Sequence, residues 1–450
     1  MSQDMCKTVI VIGAGLAGLT AAHRLAQRGF QVQVLEGQDQ PGGRMGQRQS
    51  GPIAYNTGAR LIYPFGRDLH RLVDELGLRG DMLPLKGLGA TCVDTAQRHA
   101  IQLMPDAAVL RTPGLSLRTR WRLLASAARL LALRRGVDPD HAVSALASSG
   151  DETLAAYIGR TLGEDALRLL VEPVFRATRS WNPEELSAAF YLSTTPHLIG
   201  RDTVYTLRQG MGQLTRELAR PLQENGRLQL NARALAVRLG RDGAPCEVDA
   251  EIDGQPRRLR ADAIICATEG VLAATLLAQA APECQPLHEL LAAVRYNSLG
   301  IVHYALRGDL PRALEFATRR LTTRIATWQQ TPASDGQPAL LYCQLTPEAA
   351  HEAVAAGLTD DLDRLIGAEV RARVPDLDAR LLHRHNQWIA RKLPSFYPGY
   401  LPKVRDYLTY QSSRPQRLYL CGDYLSQALL GGACASGQAA AELLSDHWNC

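Results

Sequence analysis

"VIVIGAGLAGLTAAHRLAQRGFQVQVLEGQDQPGGRMGQR", residues 9–48, governs how the rest of the chain is read. Val9 to Ile12 form a short apolar run that stops at Gly13, the pattern of a parallel strand buried on both faces. From Leu16 the apolar residues return at helical spacing through Ala21, Ala22 and Leu25, and Arg28 and Gly29 supply a cationic last turn and a stop. A second apolar run, Val32 to Leu35, ends at Glu36. The spacing predicts a βαβ unit.

Within such a unit Gly13 allows the tight turn, Gly15 lets the backbone approach a pyrophosphate, and Gly18 lets the helix pack closely on the strand. Leu16 and Ala17 open a helix whose free N–H groups and positive dipole end suit phosphate oxygens. Glu36 stands where a carboxylate accepts the hydroxyls of an adenosine ribose. A second glycine cluster, Pro41-Gly42-Gly43-Arg44, follows at once. With it the chain resembles the large FAD family that includes flavin amine oxidases, protoporphyrinogen oxidases and carotenoid-type desaturases.

That resemblance implies roles for further segments. Gly42, Gly43 and Arg44 would lie along the FAD, the arginine near the diphosphate, and "YNTGARLI" (55–62) would pass the isoalloxazine with Gly58, Ala59 and Arg60. "YTLRQGMGQLTREL" (205–218) is similar to the family's return into the cofactor domain, and "LQLNARALAVRL" to the strand that brackets adenine, with Ala234 at the contact. "ADAIICATEG" (261–270) resembles the strand that ends over the diphosphate, at Ala267. "LYLCGDYLSQALLGGACASGQAAAELL" resembles the closing motif: Gly422 and Asp423 reach the ribityl and diphosphate, and Gly432, Ala433 and Cys434 begin a helix that meets the flavin pyrimidine. Physically, Gly431, Gly432 and Ala433 should leave helix N–H groups uncovered, suited to negative charge near flavin N1 and O2.

The expected fold is therefore α/β, a Rossmann-like FAD-binding domain of the GR2 type with an inserted α+β substrate-binding domain. At 450 residues the chain is too long for one ordinary core. The FAD-binding domain is expected from 1–65, 205–275 and 410–450, and the substrate-binding domain from 66–204 and 276–409, with a helical region around 105–200. A net charge of +5 without a basic tail or an interleaved aromatic stripe gives no case for nucleic acid. Nine cysteines without a CxxC pair suggest neither zinc nor a disulfide scaffold and fit a reducing, cytoplasmic setting. "MSQDMCKT" lacks the pattern of a signal peptide. His383 and His385 alternate and would share one face of a strand, without a third clustered ligand, so no metal is expected. "LRTRWRLLASAARLLALRR" (117–135) is a cationic amphipathic helix. Its arginine face is expected to be solvated; a peripheral membrane contact is the alternative.

The chemistry would come from the flavin, with the protein supplying position and electrostatics. Amine oxidases of the family tend to carry a lysine on the strand that "YNSLGIVHYAL" (296–306) resembles; here Leu299 stands at that position. His303 is the only titratable side chain of that strand besides its tyrosines, and is expected on the opposite face. The second ring of the amine oxidase aromatic cage corresponds to Leu429, while "HNQWIARKLPSFYPGYLPKV" (385–404) offers Trp388, Phe396, Tyr397 and Tyr400 and is closer to protoporphyrinogen-oxidase-like proteins. Leu299, Leu429, Trp388 and Tyr397 are thus expected to line the flavin face, with Tyr397 near enough to take a proton. No cysteine lies between Cys343 and Cys421, so a thioether from that segment is excluded and FAD is expected to be noncovalent. The expected activity is removal of hydride from a C–N or C–C bond of a largely apolar small molecule, such as a pyrroline or reduced pyrrole. Oxygen is the expected reoxidant, with an accessory acceptor as the alternative. An isoprenoid or polyene desaturase, an amine oxidase and a non-catalytic flavin-binding partner remain as alternatives, and the oligomeric state is open.

Overall fold

In the computed structural model, which describes residues 7–95, 97–240, 244–334 and 336–448, Thr8–Ile12 and Gln31–Leu35 pair in parallel with the Leu16–Gln27 helix between them. Val9 to Ile12 are buried on both faces, which is why that strand reads as an unbroken apolar run. The parallel sheet is completed by strands distant in the chain, in the order Leu418–Leu420, Ala263–Cys266, Thr8–Ile12, Gln31–Leu35, Leu228–Gln229. The Leu430–His447 helix covers it beside Leu16–Gln27, so closely that a Cβ on Gly437 would lie 2.2 Å from the Ala17 carbonyl oxygen. Residues from the start, middle and end of the chain therefore share one layer. An antiparallel sheet of Ala232–Arg238, Cys246–Ile252 and Gln255–Ala261 stands beside it.

The second large sheet has seven strands, in the order Leu381–Pro394, Tyr296–Leu306, Ala339–Leu345, Ile325–Thr331, Ala313–Ala317, Gly89–Val93, Arg98–Gln102. All pairs are antiparallel except Gly89–Val93 with Ala313–Ala317. Two-residue alternation gives the Tyr296–Leu306 strand two different faces. Val302, Tyr304 and Leu306 pack into a core with Ile366 and Val370 of the Asp363–Arg373 helix. Leu299, Ile301 and His303 point the other way, where Leu299 and Ile301 meet Tyr342 and His303 meets Tyr55 of the Ile53–Asn56 strand.

Helices fill much of 117–198. The Leu117–Leu133 helix buries only Thr119 and Leu130. Arg118, Arg129 and Arg135 are exposed, and the outer side also carries Leu117 (77% exposed) and Trp121 (72%) with Leu124 and Leu131. Among the described residues no helix is long and apolar enough to cross a membrane.

Candidate active site

The first part of the site is made mainly of backbone. Gly13 has φ +107°, a conformation that L side chains rarely adopt, and its N–H donates to the Leu35 carbonyl at 2.8 Å. A Cβ on Gly18 would lie 2.0 Å from the Gly13 carbonyl oxygen and 2.9 Å from the Ala267 Cβ. A Cβ on Gly15 would meet nothing within 4 Å. The helix start is therefore locked behind Gly18 and open in front of Gly15, the shape needed to admit a diphosphate to helix N–H groups. Leu16 and Ala17 are buried as the first turn of that helix.

Glu36 accepts from the Ala14 N–H at 2.8 Å through Oε2 and from the Gln38 N–H at 3.0 Å through Oε1. Its carbonyl accepts from Ala232 at 2.8 Å, which ties the acid to the strand carrying Ala234. The Gly42 N–H donates to the Ala14 carbonyl at 2.9 Å and brings the second glycine cluster, with Gly43, onto the first.

Arg44 joins several segments. Its Nη1 and Nη2 each donate to an Asp423 carboxylate oxygen at 2.8 Å, Nη1 also donates to the Lys392 carbonyl at 3.0 Å, and the guanidinium lies 5.6 Å from the Tyr296 ring centre. Burial opposes its charge, but Asp423, Tyr296 and Glu269 outweigh burial and hold its pKa above the ordinary arginine value. The Arg44 carbonyl accepts from Ala59 at 2.9 Å, and a Cβ on Gly58 would lie 2.5 Å from that same oxygen. Residues 44, 58–60, 392 and 423 thus converge. Asp423 follows Gly422 at the end of the Leu418–Leu420 strand.

At the closing helix two expectations are corrected. The Ala433 N–H donates to the Leu429 carbonyl at 3.0 Å, so the uncovered N–H groups begin earlier, over Leu430 to Gly432. Cys434 turns its thiol toward Thr20, whose hydroxyl lies 3.9 Å away, and burial pushes that thiol up to about 12. Leu429 is the N-cap residue of this helix. A Cβ on Gly432 would strike the Gln427 carbonyl oxygen at 2.2 Å.

The second part of the site is made of side chains on the seven-stranded sheet. Leu299, Ile301 and Tyr342 are buried together, with Ile389 against them. His303 lies on this same face, a correction that follows from alternation, since positions 299, 301 and 303 of an unbroken strand point one way. Its ring is 5.3 Å from Tyr342 and 5.9 Å from both Tyr55 and His385, and Nε2 is 3.0 Å from Gln387 Oε1. Burial lowers the imidazole pKa to about 4, opposed in part by the Gln387 hydrogen bond and helped by the smaller effects of Arg60 and the neighbouring His385.

Trp388 is corrected in the opposite sense. It pairs with Gly300, on the even-numbered face with Val302, and packs against the core under the Asp363–Arg373 helix. Tyr397 is also displaced from the expected role. Its hydroxyl donates to the Ala293 carbonyl at 2.7 Å, its ring lies 4.4 Å beneath the Arg295 guanidinium, and Phe396 and Tyr400 are core residues. His383 and His385 do share a face, one at 2.9 Å from Ser50 Oγ and the other 4.4 Å from the Tyr55 ring.

Tyr342, Arg179 and Lys392 were not singled out from the sequence. Tyr342 follows from strand alternation once its strand is paired. Lys392 does not, because the register between the Tyr296–Leu306 and Leu381–Pro394 strands shifts between Asn297 and Leu299. Arg179 ends the Glu172–Arg179 helix, and only tertiary packing brings it here.

A sequence model described as flavin containing amine oxidoreductase matches residues 16–445. Protoporphyrinogen oxidase 2, chloroplastic/mitochondrial, of Arabidopsis thaliana is 25% identical over 182 residues, covering 40% of this chain and 34% of that protein. Putrescine oxidase of Kocuria rosea is 43% identical over 72 residues, 16% of this chain and 15% of that protein. The match thus spans about a third of the length of the first relative and less of the second. The fold is similar to a putative protoporphyrinogen oxidase from Exiguobacterium sp. 255-15, with a TM-score of 0.72 at 17% identity over 100% of both chains. It is also similar to cyclohexylamine oxidase from Brevibacterium oxydans IH-35A, with a TM-score of 0.71 at 19% identity over 99% of this chain and 100% of that one.

Proposed function

The chain belongs to the flavin-containing amine oxidoreductase family, and from that premise we propose an FAD-dependent oxidoreductase that removes hydride from a C–N or C–C bond of a largely apolar small molecule. The substrate is a nitrogen ring of the pyrroline or reduced-pyrrole kind. The observation that carries this reading is the face of Leu299, Ile301, Ile389 and Tyr342, with a histidine beside it whose pKa is lowered to about 4 and which is therefore neutral at pH 7. Such a face favours a flat apolar ring, at about 25 cal/mol per Å² buried. It gives little return for stripping water from an ammonium group.

FAD supplies the hydride acceptor when bound. Gly13, Gly15 and Gly18 with the helix they open receive the diphosphate, Glu36 the ribose, and the Arg44–Asp423 pair holds the loops that meet around the cofactor. The N–H groups at Leu430 to Gly432 would be available to the pyrimidine end. Leu299 and its neighbours orient the ring. With the Tyr397 hydroxyl committed to Ala293, the substrate proton leaves to solvent. This reading assigns 1–65, 205–275 and 410–450 to the cofactor domain and 66–204 and 276–409 to the substrate domain.

The FAD is noncovalent, a reading supported by the lack of any cysteine between Cys343 and Cys421 that could form a thioether from that segment. Oxygen is the reoxidant, and the protein works in a reducing, cytoplasmic compartment. The outer side of the Leu117–Leu133 helix touches an anionic membrane surface: Trp121 and Leu117 stand out, six arginines flank them, and no Asp or Glu occurs from 107 to 137.

Two measurements on purified protein test the core of this reading. Acid precipitation should leave all the flavin in the supernatant, and flavin in the pellet would contradict noncovalent binding. Turnover of a pyrroline should consume oxygen. Flavin reduction by a polyene, without oxygen uptake, would favour a desaturase instead.

A further inference from the structure

Three cations meet at the edge of the Leu299 face. Lys392 is 9% exposed, and its Nζ donates to Ser180 Oγ at 3.0 Å and to the Thr178 carbonyl at 3.2 Å. Arg60 stacks on Tyr342, 4.2 Å from the ring centre, and donates to the Tyr342 hydroxyl. That hydroxyl donates onward to Gln344 Oε1 at 2.9 Å, and Gln344 Nε2 reaches the Ala177 carbonyl at 2.6 Å. Arg179 donates to the Tyr63 hydroxyl at 3.2 Å and stacks over Phe190. Asn297 fixes the end of the Glu172–Arg179 helix, donating to the carbonyls of Arg179 at 2.7 Å and Ser180 at 2.8 Å.

What sets this cluster apart is a buried lysine without a counter-charge, with two unpaired arginines beside it. The fully buried arginines elsewhere are paired, Arg24 with Glu75 and Arg176 with Glu348. Among the described residues no carboxylate lies within ion-pair distance of Arg60, Arg179 or Lys392. Their partners are hydroxyls and carbonyls, which orient cations without neutralising them. Burial, then the like charges of Arg60 and Arg179, lower the Lys392 pKa well below the ordinary lysine value. Arg60 is exposed and Arg179 partly so, and the cluster therefore stays open to a small molecule. An uncompensated buried charge is costly unless it is paired or discharged.

We propose that Arg60, Arg179 and Lys392 form an anion subsite, and that the substrate carries a carboxylate or an equivalent oxyanion beside its oxidisable ring. The two arginines supply planar donor pairs that match a carboxylate, and Lys392 Nζ adds a donor behind them whose ammonium form a bound anion would favour. The subsite repels an ammonium group, so ring specificity and rejection of plain amines have a common electrostatic source. This inference rests on the reading that the Leu299 face receives the substrate.

The test is titration of the holoenzyme with benzoate, benzamide and benzylamine, followed both by flavin absorbance and by calorimetry. Benzoate is expected to bind at least tenfold more tightly than benzamide and to shift the flavin spectrum, with benzylamine weakest. Arg179→Gln and Lys392→Met should each weaken benzoate at least fivefold while leaving benzamide within twofold, and Arg179→Lys should recover part of the loss. The benzamide control separates loss of the subsite from loss of fold. Equal binding of benzoate and benzamide, or benzoate binding indifferent to both variants, overturns the proposal. Sulfate binding as tightly as benzoate overturns the assignment to an organic substrate. Calorimetric binding with no change in flavin absorbance would keep the anion subsite and instead contradict its placement at the flavin face.

Discussion

The cofactor cradle and the face across from it are built on different terms. Around Gly13, Gly15 and Gly18 the backbone does the work, and the requirement is steric: one position where a Cβ collides, another where it meets open space. Around Leu299 and His303 the work falls to side chains on three paired strands, and what matters is which residues share a face. The first kind of site constrains residue type at fixed spacing. The second constrains only the outcome of packing.

The strongest way to break this contrast is within the glycine triplet. Gly18→Val should cost about 3 kcal/mol or more, since it drives side-chain atoms into the Gly13 carbonyl and Ala267. Gly15→Ala should leave the apoprotein as stable or raise its stability by up to about 1 kcal/mol, because Gly15 has φ −74° and a free Cβ direction. The same Gly15→Ala protein should lose most of its FAD. Thermal unfolding of both apoproteins and the flavin-to-protein absorbance ratio separate the two effects; equal destabilisation by the two changes would refute the distinction.

On the opposite face the sharpest handle is His303. Its pKa falls from 6.5 unfolded to about 4 folded, so between those values the unfolded state binds more protons. The stability linked to His303 is therefore fully present above pH 6.5 and is lost as pH falls toward 4, by up to about 3 kcal/mol. Denaturant unfolding at pH 7 and pH 5 should show a smaller acid loss for His303→Gln than for the parent. An unchanged pH dependence would mean that the imidazole is freely solvated.

Glu36→Ala tests the cradle at a side chain rather than at the backbone. Charge-assisted hydrogen bonds of about 1.5–3 kcal/mol each should be lost to the ribose, weakening FAD at least about tenfold. Retention of FAD at the parental dissociation constant would leave Glu36 only the Ala14 and Gln38 contacts seen here. The smallest effect is expected outside both regions. Trp121→Ala should lower binding to phosphatidylglycerol vesicles about threefold without altering flavin content; a parent protein that ignores those vesicles would refute the membrane contact.

The contrast also explains what could be read from the sequence. The βαβ unit was legible because buried parallel strands and phosphate turns leave unbroken apolar runs and glycines at set intervals, while the strands at 263–266 and 418–420 were legible through the family resemblance of their segments. His303 was misplaced although strand alternation was enough to put it with Leu299. Trp388 could not be assigned to a face without the pairing to Gly300, and Tyr397 was claimed by the Ala293 carbonyl, far away in sequence. Lys392 lies past a register shift, where periodicity no longer tells in from out. Ala433 and Cys434 missed by a residue or two because only the cap geometry shows where the helix starts.

The central claim, that a cationic and apolar face selects a ring over a plain amine, is tested most directly by anaerobic stopped-flow. Flavin bleaching would be followed with benzylamine, putrescine and a pyrroline at matched concentration. The pyrroline should reduce the flavin fastest, and a pyrroline carboxylate faster still. Fastest reduction by benzylamine or putrescine would contradict the account.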